Sequence, residues 1–86
     1  MSTEKIYQLP IVLDPQPEGG WTITCPVLPG LITEADTLED IPLNVADAVE
    51  ALIDGYEELE QPIPEVLRPI SNIPFVTDTL IHLKAA

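Results

Sequence analysis

A chain of 86 residues makes one small domain, which buries only roughly 60–65% of the surface its unfolded form exposes, so its core is thin. Fifteen Asp and Glu against three Lys and Arg give a formal charge of −12, a surface that repels nucleic-acid phosphates and attracts basic proteins. No apolar run comes near the roughly 18 residues needed to span a bilayer, and MSTEKIYQLP lacks the apolar stretch of a secretory signal, so a cytoplasmic protein is expected. The charge is also unevenly placed. The bases are Lys5, Arg68 and Lys84, so Ile6 to Leu67 holds none, but carries thirteen acids, the fifteen less Glu4 and Asp78. The single cysteine, Cys25, cannot form an internal disulfide, which fits a reducing compartment.

From Lys5 to Leu13 the run KIYQLPIVL alternates Tyr7, Leu9, Ile11 and Leu13 onto one face, as a strand does. Pro10 has no N–H to give to a ladder, which places this strand at a sheet edge or a bulge. DPQPEGG follows as a hairpin connection, with Gly19 and Gly20 able to take positive φ where the chain reverses. WTITC resumes the period of two and predicts a second strand, with Trp21, Ile23 and Cys25 on one face. Pro26, Pro29 and Gly30 interrupt it in PVLPG, and LITEA then supplies a short third strand.

At Thr37 the period changes to about 3.6, with Leu38, Ile41, Val45, Val49, Leu52, Tyr56 and Leu59 recurring at spacings of three or four. This predicts an amphipathic helix. Thr37 and Asp40 resemble a capping box with Asp in place of Glu, and Pro42 moves the expected start of regular helix toward Asp40. Pro62 and Pro64 forbid its continuation. Residues 61–74 hold four prolines and read as an extended connection, after which FVTDTLIHL alternates as a last strand would. The expected fold is a single α+β domain over residues 1–86, βββαβ, with one helix packed on one face of a small sheet. The last strand would return beside an earlier one in parallel, by a right-handed crossover.

Glu18 to Glu65, forty-eight of the 86 residues, resembles the N-terminal domain of HicB-type antitoxins. The shared pattern is a double glycine, an aromatic residue, an alternating strand, P-x-LPG, a short strand and turn before D-T-L-E-D, then an acidic helix ending near a proline pair. The resemblance implies a partial RNase H-like fold that binds and masks a small, basic, mRNA-cleaving toxin of the HicA type. Ala35 stands where the family usually has glycine, so the turn before Asp36 is expected to differ or to hold strain if it needs positive φ. Family members usually continue into a DNA-binding domain, whereas this sequence ends at Ala86, so operator binding is not carried over. An orphan, oligomeric HicB-like module without a toxin is the alternative, and self-association is expected in either case, because the core is small and the strands need cover.

The candidate partner-binding residues are Asp47, Glu50, Asp54 and Glu58, a stripe at helical spacing, together with Trp21. The helix from Leu38 to Glu60 carries eight acids and no base. Like charges at this spacing destabilise it by roughly 0.2–0.5 kcal/mol a pair, which a basic partner would relieve. A solvated acidic face kept for solubility accounts for the same pattern. Trp21 reads either as an interface anchor or as a residue packed in the sheet with Ile23 and Cys25. Cys25, with no cation near it in sequence, reads as a small core residue, and lone His82 as a surface or edge-strand residue. Gly55, inside the helical period, is expected to permit close packing. The enzymatic rival is a metal-dependent nuclease with Asp14, Glu34, Asp36 and Asp40 as ligands, but no nuclease signature places them and no basic groove would hold a substrate. Neither a cofactor nor a metal is expected.

Overall fold

A computed structural model describes residues 5–70, 74–81 and 83. Three strands, β1 (Val12–Pro15), β2 (Trp21–Thr24) and β3 (Ile32–Ala35), form an antiparallel meander in that order, and one long helix, α1 (Ile41–Glu58), follows. The ladders pair Val12 with Thr24 and Pro15 with Trp21, then Trp21 with Ala35 and Thr24 with Ile32. The architecture is α+β, as the residue pattern predicts.

Each strand is only four residues long, for reasons visible in the chain. The first strand, expected from Lys5, begins at Val12. Continuing the register past Val12 and Thr24 would set Pro10 opposite Pro26, and neither can donate to the ladder. β2 ends where Cys25 enters two consecutive turns, closed by Leu28 N–H to the Cys25 carbonyl (3.2 Å) and Leu31 N–H to the Leu28 carbonyl (2.9 Å). Pro26 and Pro29 each occupy the second turn position, for which their fixed φ is suited. The turns deliver Leu28 and Leu31 into the core, and Gly30 lies so close to α1 that an added Cβ would stand 3.1 Å from a Leu52 methyl.

In the β1–β2 hairpin, Gly19 N–H reaches the Gln16 carbonyl and Gln16 N–H reaches the Gly20 carbonyl, both at 3.0 Å. Gly19 and Gly20 have φ of 103° and 84°, as the loop reading requires. Ala35, by contrast, is the buried last residue of β3 and has no positive φ, so the expected strain at this position is absent.

Thr37 caps the helix approach, its hydroxyl accepting from Asp40 N–H at 3.3 Å, and a 3-10 turn at Leu38–Asp40 leads into α1. Pro42 falls in the first turn of the regular helix, where a missing N–H is not costly. Asn44 Nδ2 donates to the Glu34 carbonyl at 2.7 Å, tying the start of α1 to β3. One face of the sheet lies under the helix. There Ile23, Ala35 and Ile41 are buried, with Leu13, Leu38 and Val45 around them. A second cluster joins Cys25, Leu28, Leu31 and Val49 to Leu67, and Val45 touches both. Leu67 arrives on a 3-10 turn, Glu65–Leu67, inside the connection expected to be merely extended.

The last strand expected over 75–83 is corrected: residues 74–81 and 83 form no strand, and His82 lies outside the described residues. Two hydrogen bonds nevertheless tie this end of the chain to the N-terminal stretch, Ile70 N–H to the Ile6 carbonyl (2.8 Å) and the Gln8 side-chain amide to the Val76 carbonyl. Leu59 also leaves the apolar periodicity, because the helix ends at Glu58 and Leu59 is exposed.

Gly55 is corrected as well, since a Cβ there would meet nothing within 4 Å. Gly55→Ala is therefore expected to raise stability by about 0.5–1 kcal/mol, read as a higher melting temperature. Gly20→Ala should lower it by about 1–2 kcal/mol, because Gly20 holds a left-handed φ, and its Cβ would stand 2.9 Å from the Ala35 carbonyl oxygen. A melting curve for each variant checks both signs.

A candidate acidic interface on the outer face of the helix

At about 100° per residue, Asp47, Glu50, Asp54 and Glu58 fall within an arc of about 80° and span about 17 Å of the helix axis. All four are exposed, and the arc is centred opposite the side bearing buried Ile41 and Val49. The helix thus presents carboxylates to solvent on the side facing away from the sheet. Glu57 is exposed at the edge of the same arc. Four like-charged neighbours at three-to-four spacing, 47–50, 50–54, 54–57 and 54–58, cost the isolated helix roughly 1–2 kcal/mol together.

The helix terminus adds to this. No basic residue lies in the last turn, where the macrodipole favours one. Gln61 N–H returns to the Tyr56 carbonyl (2.9 Å) and Glu60 N–H to the Glu57 carbonyl (3.1 Å), a Schellman arrangement whose left-handed position is held by Glu60 at φ 54°. Glycine is the residue usually found there, and the sequence reading did not single out this position.

Trp21 is half-buried on β2, on the helix-facing side of the sheet between Pro15 and Ala35. The five candidate residues therefore do not share one surface: four lie on the outer face of α1 and Trp21 lies on the sheet. One residue missed by the sequence reading joins the acids. Leu43, 70% exposed, projects from the middle of the acidic arc one turn before Asp47. Its position outside the apolar periodicity of the helix was the available signal.

The carboxylates weighed for a two-metal site are not gathered. Asp14 and Glu34 flank Thr22 on the outer face of the sheet, and among the described residues no group of three or more His, Cys, Asp and Glu side chains could hold a metal ion. Cys25 is a buried free thiol in the core. Among the described residues no helix is long and apolar enough to cross a membrane. An open groove of about 1000 Å³ runs between α1 and the two terminal segments, lined largely by apolar side chains such as Leu9, Ile11, Val45, Val49, Leu80 and Ile81.

The family model of HicB-like antitoxins of bacterial toxin–antitoxin systems matches residues 9–77, which span all three strands and the acidic helix. The chain belongs to this family. It is also 28% identical over 74 residues to the UPF0150 protein ssr1765 of Synechocystis sp., a match covering 83% of this chain and 94% of that protein. No solved structure matches. For a HicB-like domain, the P-x-LPG motif now has a physical role: two proline turns set Leu28 and Leu31 under the helix whose far side carries the acids.

Replacing Glu60 with glycine should relieve both the left-handed φ and an acid at the negative end of the helix. The expected gain is about 0.5–1 kcal/mol, after allowing for the greater freedom of glycine in the unfolded chain. Denaturant unfolding of the variant beside the parent checks it, and an unchanged midpoint would show that the motif is not strained.

Proposed function

We propose that this HicB-like domain acts by binding, as an antitoxin that masks a small basic HicA-type toxin which cleaves mRNA, and that the outer face of α1 is the docking surface. The observation that carries the reading is the placement of Asp47, Glu50, Asp54 and Glu58 on one exposed face opposite the core. A toxin that cleaves RNA needs a cationic surface for phosphates. A row of carboxylates complements that same surface and competes for it without any catalysis. Leu43 supplies an apolar contact point inside the charged arc, the arrangement of a buried anchor with a polar surround that binding surfaces commonly show. Trp21 is a second contact only if the partner also reaches the rim of the sheet. The reading involves no enzymatic role, cofactor or metal, and it suits a cytoplasmic protein.

The fourfold variant D47N/E50Q/D54N/E58Q is expected to melt at the same or a higher temperature, since repulsion along the helix falls. Its association with a basic HicA-type toxin should slow by tenfold or more, a range typical of lost steering. Raising the salt should slow association of the parent in the same way, because exposed charges are screened. Stopped-flow kinetics across a salt series measures both effects. Unchanged kinetics in the variant would reduce the stripe to solvated surface.

The domain is also expected not to bind duplex DNA at physiological salt, because three basic residues release few counterions. Fluorescence anisotropy with a labelled duplex tests this, and sub-micromolar affinity would contradict it.

A further inference from the structure

Lys5 and Arg68 stand at the two ends of the long acidic stretch, with thirteen acids and no other base between them in sequence. Both nevertheless line one recess of about 380 Å³ beside the last turns of α1. The hydrogen bond from Ile70 N–H to the Ile6 carbonyl holds together the segments that carry them. Neither cation has an ion-pair partner among the described residues, although Glu57 lines the same recess. The remaining walls are apolar: Leu67 is buried, and Tyr7, Ile53 and Ile63 are half-buried around it. Lys5, Tyr7 and Ile53 also line the groove of about 1000 Å³ between α1 and the terminal segments, so the two spaces adjoin. From the cations an apolar path leads past Ile53 to Val49 and Leu9. The groove has acids of its own, Glu39, Glu50 and Asp78, and Lys5 is the one base that lines it. Positive charge is therefore gathered at the recess and nowhere farther along.

From this arrangement we propose that recess and groove together bind a free organic acid with one carboxylate on an unbranched apolar tail. The carboxylate lies at Lys5 and Arg68, and the tail runs past Ile53 toward Val49. Charge selects this ligand. A carboxylate gives both cations the partner that the fold does not provide, and the planar guanidinium of Arg68 can donate to it through two N–H groups. A small inorganic anion gains nothing from the apolar walls and is repelled by the field of a chain at −12. A second anionic group farther along the tail would meet Glu39, Glu50 or Asp78, which excludes dicarboxylates and nucleotides. An anionic lipid surface is repelled by the domain as a whole, so the acid is taken as a free molecule. The two volumes lie within the range of small-molecule sites, roughly 300–1000 Å³. The carboxylate stripe of α1 takes no part in holding this ligand, so the inference stands apart from toxin masking.

The test is a titration of the full chain with sodium octanoate, followed by amide chemical shifts, on the parent, K5Q/R68Q and E57Q. Both cations are exposed and unpaired, so K5Q/R68Q should keep the parent's circular dichroism and melting behaviour. Octanoate is expected to shift residues 5–9, 53 and 67–68 saturably, with a dissociation constant of about 1 mM, within reach of its roughly ten non-hydrogen atoms. Octan-1-ol, octylammonium, the dicarboxylate sebacate and inorganic phosphate should each bind at least about tenfold more weakly. K5Q/R68Q should weaken octanoate by about tenfold and leave octan-1-ol unchanged. E57Q should strengthen octanoate by roughly threefold, the scale of one exposed charge contact. No saturable shift up to about 10 mM octanoate would overturn the inference. Equal binding of octan-1-ol or octylammonium would overturn it as well, since the walls alone would then be acting, and so would octanoate binding that K5Q/R68Q leaves intact. K5Q/R68Q should still associate with a basic HicA-type toxin, so failure of this site is distinguishable from failure of the docking face.

Discussion

The domain depends on a single layer of contact between α1 and a sheet of three four-residue strands. Ile23 and Ala35 below and Ile41 above form its centre, and Val45 links that centre to the second cluster around Leu28, Leu31 and Val49. With so little sheet to rest on, the helix would be poorly held by the strands alone. The proline turns after β2 and the 3-10 turn carrying Leu67 extend the apolar platform beyond the sheet. The hydrogen bond from Asn44 to the Glu34 carbonyl then fixes the register between helix and sheet. Loss of this layer would leave no alternative core, as expected for a chain of this size.

Because the core occupies one side of the helix, everything the helix does electrostatically happens on the other. The carboxylate row, the acidic final turn and the left-handed Glu60 all act against the stability of α1. The burial of Ile41 and Val49 has to outweigh them. A natural sequence that retains several unfavourable local features on one exposed face, while its buried face obeys every rule of packing, concentrates its departures where a partner would repay them.

Much of this was legible in the residues. The alternation in WTITC, the double glycine of the hairpin, the Thr37 cap and the shift of helix start imposed by Pro42 are local effects, and local rules recovered them. The length of the first strand was not legible, because it is decided by Pro26 across the ladder as much as by Pro10. Leu67 escaped notice because prolines surround it, and prolines signal extended chain whether or not the segment is packed. The run FVTDTLIHL has the period of a strand, but period records which residues could share a face and says nothing of whether a neighbouring edge is present to pair with. Of the candidate site, the acidic stripe could be read from spacing alone. That Trp21 lies apart from it, and that Leu43 lies within it, depended on how the helix is rotated over the sheet.

The position of Trp21 gives the domain an internal spectroscopic reporter. It is the single tryptophan, half-buried on the side of the sheet that faces α1. Its emission therefore responds to the environment on that face of the sheet, and shifts to the red when unfolding brings the indole fully into water. The acidic face of α1 is on another surface. A ligand bound there, with the fold intact, leaves the indole in the same surroundings, whereas any event that opens the sheet around it is seen at once. One intrinsic chromophore thus separates binding from unfolding without a label, and would show directly whether a partner holds the domain as it stands or partly opens it.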